Sequence, residues 1–228
     1  MIWVGDNLGL IAGLAVSHLR QSLIAIVLGL VIAIPLGWAA WRYRLLRGWL
    51  ITVTGLLYTI PSLALLIILP SVFGYSALSE TNLIVALTIY AVAILVRSVV
   101  DGLQSVDPSV RQAAVALGYG GARRFFTVDL PLAGPVILAG LRVTSVSTIA
   151  LATVGILVGV ENLGYLFTNG LQRRITEEVL SGVVAVMVIA LLIDALLVLG
   201  GRLLMPWARR SRTVRARTRR VLAGAEVA

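Results

Sequence analysis

The stretch DPSVRQAAVALGYGGARRFFTVDLP, residues 107–131, interrupts a chain that otherwise consists of long apolar segments. The 228 residues have a mean hydropathy of +1.01 and only 13% of them are charged. Soluble domains carry about 25% charged residues. The composition therefore predicts an integral membrane protein in which residues 107–131 form a polar connection between membrane spans.

Five runs are long enough to cross a bilayer, since a spanning helix needs about 20 apolar residues. They cover roughly residues 21–41, 49–73, 83–100, 131–159 and 179–205. The run Leu8–His18 is too short to span, so residues 1–20 are predicted to form an interfacial segment. Residues 101–130 would be the connecting loop, residues 21–206 the membrane domain, and residues 207–228 a basic tail.

Arginines set the predicted orientation. All 19 basic residues are arginines, and with 10 acidic residues they give a formal charge of +9. Fifteen of them fall on the side of the loop 101–130 and the C-terminus, so the positive-inside rule places the N-terminus outside and the C-terminus in the cytoplasm. The N-terminus lacks the basic start of a signal peptide. Seven arginines between Arg209 and Arg220 favour an anchor on anionic lipid over nucleic-acid binding.

Several kinds of chemistry are excluded. The chain has no cysteine and one histidine, His18, which we expect to be an interfacial side chain. It has no lysine, so it cannot contain the glycine-rich loop ending in lysine that binds ATP. Arg142 and Asp194 lie well inside predicted spans, and we expect Asp194 to pair with Arg142 or with Arg202, because isolated charge is costly in a membrane.

A short helix is predicted within residues 107–131. Asp107 is a good N-cap and Pro108 suits the first helical position. An apolar stripe follows at helical spacing, formed by Val110, Ala113, Ala114 and Leu117, and glycines at 118, 120 and 121 then end the helix. A helix this short is marginal in water. The residues leave two possibilities open, a docking element for another protein and an interfacial helix on lipid headgroups.

The spacing within this connection is distinctive. Gln112-Ala113-Ala114 is followed after three residues by Gly118, after nine more by Val128, and after one more by Leu130-Pro131. This resembles the EAA loop of bacterial ABC importer permeases, E-A-A-x3-G-x9-I-x-L-P, with glutamine in place of the usual glutamate and valine in place of isoleucine.

Other segments resemble the osmoprotectant branch of the same family, which imports glycine betaine, carnitine, choline and related quaternary amines. They are TIPSLALL (59–66), LTIY (87–90), VRS (96–98), VDP (106–108) and LAGPVILAGLR (132–142). The likeness covers about residues 15–206. An importer of another small polar solute, such as an amino acid, and a membrane channel or scaffold without an ATPase remain alternatives.

The resemblance implies an all-α membrane protein with the five transmembrane helices of the type I (MetI-like) ABC importer permease fold. It implies a multi-pass location in the cytoplasmic (inner) membrane of a bacterium or archaeon. The partners would be ABC ATPase subunits that bind ATP and Mg, a second permease subunit in a homodimer or heterodimer, and an extracytoplasmic solute-binding protein. This chain would be a transport subunit with no catalytic residue, bound cofactor or metal.

Two groups of residues follow from this resemblance and from the polar content of the spans. The ATPase-coupling residues would be Gln112, Ala113, Ala114, Leu117, Gly118, Tyr119, Gly120, Arg123, Arg124, Phe125, Leu130 and Pro131. The expected substrate pathway contains Tyr58, Thr59, Tyr90, Thr144, Ser145, Thr148, Glu161 and Asn162. Aromatic faces suit a quaternary ammonium, whereas Ser and Thr also serve as small packing residues between membrane helices. The stretch 160–178 is predicted to be an outer loop that contacts the binding protein or an external gate.

Overall fold

The computed structural model describes residues 2–208, and these residues are almost entirely helical. The α-helices, in chain order, are α1 (Ile2–Asp6), α2 (Leu8–Arg42), α3 (Arg44–Thr59), α4 (Ser62–Phe73), α5 (Glu80–Gln104), α6 (Pro108–Ala116), α7 (Gly121–Arg124), α8 (Leu130–Ala152), α9 (Gly164–Arg173) and α10 (Thr176–Leu204). A π-helical turn (Phe125–Asp129) precedes α8, and a 3-10 helix (Thr153–Val158) follows it. The predicted lipid anchor from Arg209 to Arg220 lies outside the described residues.

Within residues 2–208, four helical segments are long and apolar enough to cross a membrane. They are Leu8–Arg42, Glu80–Gln104, Gly121–Val158 and Thr176–Leu204. Each contains one of the predicted apolar runs almost completely. A fifth candidate is the pair α3 and α4, whose axes are bent by 110° at the break between them.

The break between α3 and α4 has a local cause at Ile60-Pro61. Proline has no backbone N–H and disfavours helical geometry in the residue before it, and Ile60 is extended, with φ −66° and ψ 128°. The hydroxyl of Tyr90 on α5 donates a hydrogen bond to the Ile60 carbonyl. The predicted run 49–73 is therefore divided between two helices, and a side chain from a neighbouring helix satisfies the carbonyl at the break.

Helix α2 joins two segments that the sequence suggested were separate. It is continuous over 35 residues from Leu8 and passes through Pro35. Such a helix is about 52 Å long, well beyond the roughly 30 Å of a hydrocarbon core. The N-terminal run 8–20 is therefore the first part of the first spanning helix rather than a separate element.

Helix α5 is the centre of the bundle. In its most apolar window 61% of the residues are buried, against 11% for α10, which identifies α10 as a peripheral helix. Side chains from α2, α4 and α8 surround α5. The largest fully buried side chains include Leu83, Leu95 and Leu103 of α5, Leu66 of α4 and Ile149 of α8.

Close contact between α2 and α5 depends on small residues spaced four apart. Ala25, Gly29, Ala33 and Gly37 form a buried stripe along α2. A Cβ atom at Gly29 would lie 2.5 Å from the Ala91 Cβ, and one at Gly37 would lie 2.6 Å from the Val99 Cβ. This is the small-residue packing by which membrane helices approach closely.

The end of the bundle that carries α9 is more ordered than the predicted outer loop. Residues 164–173 form α9, whose Leu166 packs with Leu163 and with Leu14 of α2 in a buried cluster. Glu178 is fully buried and accepts a hydrogen bond from Asn169 Nδ2 at 2.7 Å. The segment 160–178, predicted as an outer loop, therefore contains a packed helix, because its apolar residues pack against α2 and α10.

Candidate functional site

Helix α6 begins as the sequence predicts. The Asp107 carboxylate accepts a hydrogen bond from the Ser109 backbone N–H at 2.8 Å, and Pro108 occupies the first turn. The hydrogen bonds from Ser109 hold the pKa of the Asp107 carboxyl below its usual value. The cap is therefore ionised at neutral pH and stabilises the positive N-terminal end of the helix.

The helix ends in a Schellman motif. The N–H of Gly118 bonds to the Val115 carbonyl at 2.9 Å, and that of Tyr119 bonds to the Ala114 carbonyl at 3.0 Å. Gly118 has φ +79°, a left-handed conformation that glycine adopts without steric cost. Both ends of α6 are thus fixed locally, which makes it a short, defined rod.

Most of α6 is exposed. Ala114 is buried at 6% exposure and faces the bundle, whereas Leu117 is 77% exposed. Gln112 and Ala113 also face outward. Of the predicted apolar stripe, only Ala114 packs inward, and the rest is available to a partner.

The residues after α6 divide between exposed and packed positions. Gly120 and Arg123 are exposed, and the Arg123 guanidinium stacks over the half-buried Tyr119 ring at 4.4 Å. Phe125 instead packs edge-on against Trp38 of α2, with the ring centroids 6.1 Å apart. Leu130 and Pro131, at the start of α8, are half-buried.

Two residues beside the motif form contacts that the sequence analysis did not identify. Asp129, in the π-helical turn, is 1% exposed and pairs with both Arg111 and Arg124. In the sequence, only their positions beside the motif mark these two residues. Arg111 directly precedes Gln112, and Asp129 lies between Val128 and Leu130.

The predicted pathway residues separate into groups. At the α3–α4 break, Tyr58 is 49% exposed and its ring lies edge-on to that of the buried Tyr90, with centroids 6.0 Å apart. Thr59 is exposed, and its hydroxyl bonds to the Leu56 carbonyl at 2.7 Å. An exposed aromatic face beside a helix break is suited to contact a cationic solute.

The polar residues of α8 are internal. Thr144, Ser145 and Thr148 are at most 1% exposed. The hydroxyls of Thr144 and Ser145 bond to carbonyls one turn earlier, those of Gly140 and Leu141. In this chain these side chains pack between helices.

Asn162 and Glu161 are neighbours in the sequence but differ in burial. Asn162 is fully buried, and its Nδ2 donates to Gln21 Oε1 at 3.0 Å and to the Ala152 carbonyl at 2.8 Å. Glu161 is exposed.

His18 is also fully buried, with Nε2 2.9 Å from the Ile149 carbonyl. The expectation of an interfacial His18 is wrong, because this part of α2 packs against α8.

Arg142 and Asp194 form the ion pair expected between spans. Arg142 Nε lies 2.6 Å from Asp194 Oδ1, and its NH2 group lies 2.7 Å from Oδ2. The pair lines a groove of about 1030 Å³ between α8 and α10, together with Ser147, Phe167 and Met187. This bidentate geometry matches the pairing expected of intramembrane charges. Among residues 2–208, no group of three or more carboxylates and histidines could hold a metal ion.

Comparison with known proteins identifies the family of this chain. The family model for binding-protein-dependent transport system inner membrane components matches residues 11–210. The choline transport system permease protein OpuBB of Bacillus subtilis is 33% identical over 189 residues, covering 83% of this chain and 86% of that protein. The glycine betaine/carnitine/choline transport system permease protein OpuCB of the same organism has the same identity and coverage.

A solved structure shows the same fold. The MetNI methionine ABC transporter in an inward-facing conformation superposes with a TM-score of 0.78 at 20% identity. The match covers 87% of this chain and 98% of that one. The helical architecture is therefore that of an ABC importer permease, and the chain belongs to the family of inner membrane components of binding-protein-dependent transport systems.

Proposed function

We propose that the chain is the permease subunit of an ATP-driven importer that moves a small osmoprotectant, such as choline, glycine betaine or carnitine, across the cytoplasmic membrane. Its relatives at 33% identity are permeases named for those solutes. The family match over residues 11–210 includes the spans, the connecting loop and the end that carries α9.

The exposed face of α6 is the observation that carries the proposal. A capped rod with small, outward-facing residues at Ala113 and Gly118 lets another protein approach closely. We assign α6 as the coupling helix that docks on a separate ATPase, which binds ATP and Mg. Gln112 keeps hydrogen-bonding capacity at the position where the family usually has a carboxylate.

The proposed orientation has α6 in the cytoplasm. Arg111, Arg123 and Arg124 lie at the α6 end. So do Arg42, the last residue of α2, and Arg44, the first residue of α3. This asymmetry supports a cytoplasmic C-terminus and an external N-terminus if α3 and α4 together cross the membrane once.

Further partners are proposed from the outer surface. The faces of α3, α4 and α10 expose many large apolar side chains, including Leu56, Ile67 and Leu191. Exposed apolar side chains of this kind suit lipid and a second permease subunit. An extracytoplasmic binding protein would dock at the opposite end of the bundle from α6, near α9.

For the substrate, we propose a path past the α3–α4 break. Tyr58 presents an exposed ring beside the bent backbone, and a quaternary ammonium gains from contact with an aromatic face. Tyr58→Ala should lower uptake more than Tyr58→Phe, which keeps the ring. Equal uptake by the two variants would remove Tyr58 from the path.

Two alternative functions predict different experimental results. An amino acid or related amine would be the cargo if the partner binding protein binds that solute and not a quaternary amine; calorimetry on the binding protein measures this. A channel or scaffold without an ATPase would show uptake that does not depend on ATP.

The decisive test is uptake of radiolabelled glycine betaine, carnitine and choline into proteoliposomes that hold the permease, its ATPase and the binding protein. Uptake should require ATP.

Ala113→Arg should prevent co-purification of the ATPase, because the new side chain blocks the exposed α6 face. Ala77→Arg, exposed between α4 and α5, is the matched control and should leave the complex intact. An intact complex with Ala113→Arg would refute docking through this face.

A further inference from the structure

Both carboxylate oxygens of Asp129 are paired with arginines. Its Oδ1 lies 2.7 Å from Arg111 Nε and its Oδ2 lies 3.2 Å from Arg124 Nε, while the side chain is 1% exposed. A buried carboxylate needs this degree of pairing, because removing one partner leaves an uncompensated charge. We call Arg111, Asp129 and Arg124 the Asp129 cluster.

The π-helical turn explains how Arg124 reaches Asp129. In an α-helix, residues five apart point about 140° away from each other around the axis. Here the Leu130 N–H bonds to the Phe125 carbonyl, five residues back. This wider turn brings residues five apart closer to one side, so Arg124 and Asp129 can pair. π-turns are rare and occur often at functional positions.

Arg111 connects α6 to more than Asp129. Its NH1 donates to the Val106 carbonyl at 3.2 Å and its NH2 donates to the Leu103 carbonyl at the end of α5. Its guanidinium lies 4.7 Å from the centroid of the Trp41 ring on α2. One side chain of α6 therefore contacts the ends of α2 and α5 and the turn that begins α8.

Few other contacts fix α6 to the bundle. Ala114 is the buried residue of this helix, and Gln112, Ala113 and Val115 are exposed. A helix attached mainly through a short alanine side chain would pivot easily. The position of α6 relative to the spans therefore depends on Arg111 and its partners.

We propose that the Asp129 cluster is the mechanical link between the coupling helix and the spanning helices. Arg111 and Asp129 are positioning residues that make α6, the end of α5 and the start of α8 move as one body. Displacement of α6 by an ATPase then becomes displacement of α5 and α8. This inference rests on the proposed function of α6 and adds to it the residues that carry the movement.

The test uses the assembled complex of permease, ATPase and binding protein in proteoliposomes. Arg111→Gln and Asp129→Asn should still co-purify with the ATPase, since the exposed α6 face is unchanged. Basal ATP hydrolysis should continue, while solute moved per ATP should fall about tenfold, within the range of a typical coupling free energy. Asp129→Glu, which keeps the charge, should recover part of this ratio.

Arg20→Gln and Glu80→Gln are the matched controls. They break an ion pair of the same 2.7 Å length that is exposed and does not touch α6, so transport per ATP should stay at the parent level. The inference is overturned if Arg111→Gln and Asp129→Asn also keep the parent ratio. Loss of the ATPase from both variants would overturn it too, because the cluster would then serve docking rather than transmission.

A second measurement does not need the ATPase. The chain has no cysteine, so Ala113→Cys with Leu132→Cys gives one pair of spin-label sites, on α6 and on α8. The distance distribution should be narrow in the parent background and broader with Asp129→Asn; equal widths would contradict a rigid link. If the parent permease binds no ATPase, the proposed function fails, while this measurement still decides whether the link is rigid.

Discussion

At the scale of single residues, the buried polar side chains determine how the helix ends fit together. Asn162 uses both ends of its amide: Nδ2 donates to Gln21 and to the Ala152 carbonyl, and Oδ1 accepts from the Gly164 N–H at 2.8 Å. It thereby joins α2, the last residue of α8 and the start of α9. Buried polar groups are costly unless paired, so this network favours one arrangement of these three elements.

Replacing Asn162 should therefore destabilise the protein. Asn162→Leu leaves the Ala152 carbonyl, Gln21 Oε1 and the Gly164 N–H without this partner, and each orphaned group costs about 1–3 kcal/mol. Thermal unfolding in detergent should begin at a lower temperature than for the parent. Glu161→Gln changes the exposed neighbour and should melt with the parent; equal melting of both variants would show that the network adds no stability.

The intramembrane ion pair supports a second prediction at this scale. Asp194→Asn removes the charge that Arg142 faces at 2.6 Å, which leaves an arginine unpaired between spans. The yield of monodisperse protein should fall, and Arg142→Asp combined with Asp194→Arg should recover it. If Asp194→Asn expressed normally and abolished transport while ATP hydrolysis continued, the pair would have a transport role instead of a structural one.

At the scale of elements, the contact between α2 and α5 depends on glycines, which have no side chain to hold the helices apart. Gly29→Leu would place atoms where Ala91 lies, with the new Cβ 2.5 Å from the Ala91 Cβ. Overpacking of this kind costs about 1–3 kcal/mol or more, so folded protein in the membrane should decrease. Gly13→Leu lies on the same helix with open space around it and is the control. Equal yields from the two variants would contradict close packing at Gly29.

Elements defined by local chemistry could be predicted from the sequence, and elements defined by distant contacts could not. The limits of α6 follow from Asp107, Pro108 and Gly118, whose preferences act within one turn. The α3–α4 bend depends on Pro61 but also on the Tyr90 hydroxyl, 30 residues after the Ile60 carbonyl that it contacts. Helix α9 and the burial of His18 depend on packing against α2, α8 and α10, which no local pattern reveals. For the same reason the helix at Pro108–Ala116 was predictable and the Asp129 cluster was not.

At the scale of the whole molecule, the proposed function requires that α6 face the cytoplasm. The proposed topology places Ala122, just after α6, in the cytoplasm and Ala77, between α4 and α5, outside. Both side chains are exposed, and the natural chain has no cysteine, so Ala122→Cys and Ala77→Cys each introduce one thiol. In right-side-out vesicles, a membrane-impermeant maleimide should label Ala77→Cys at once and Ala122→Cys only after detergent is added. The reverse pattern would invert the topology, and labelling of both before detergent would show that α5, the helix between the two sites, does not cross the membrane.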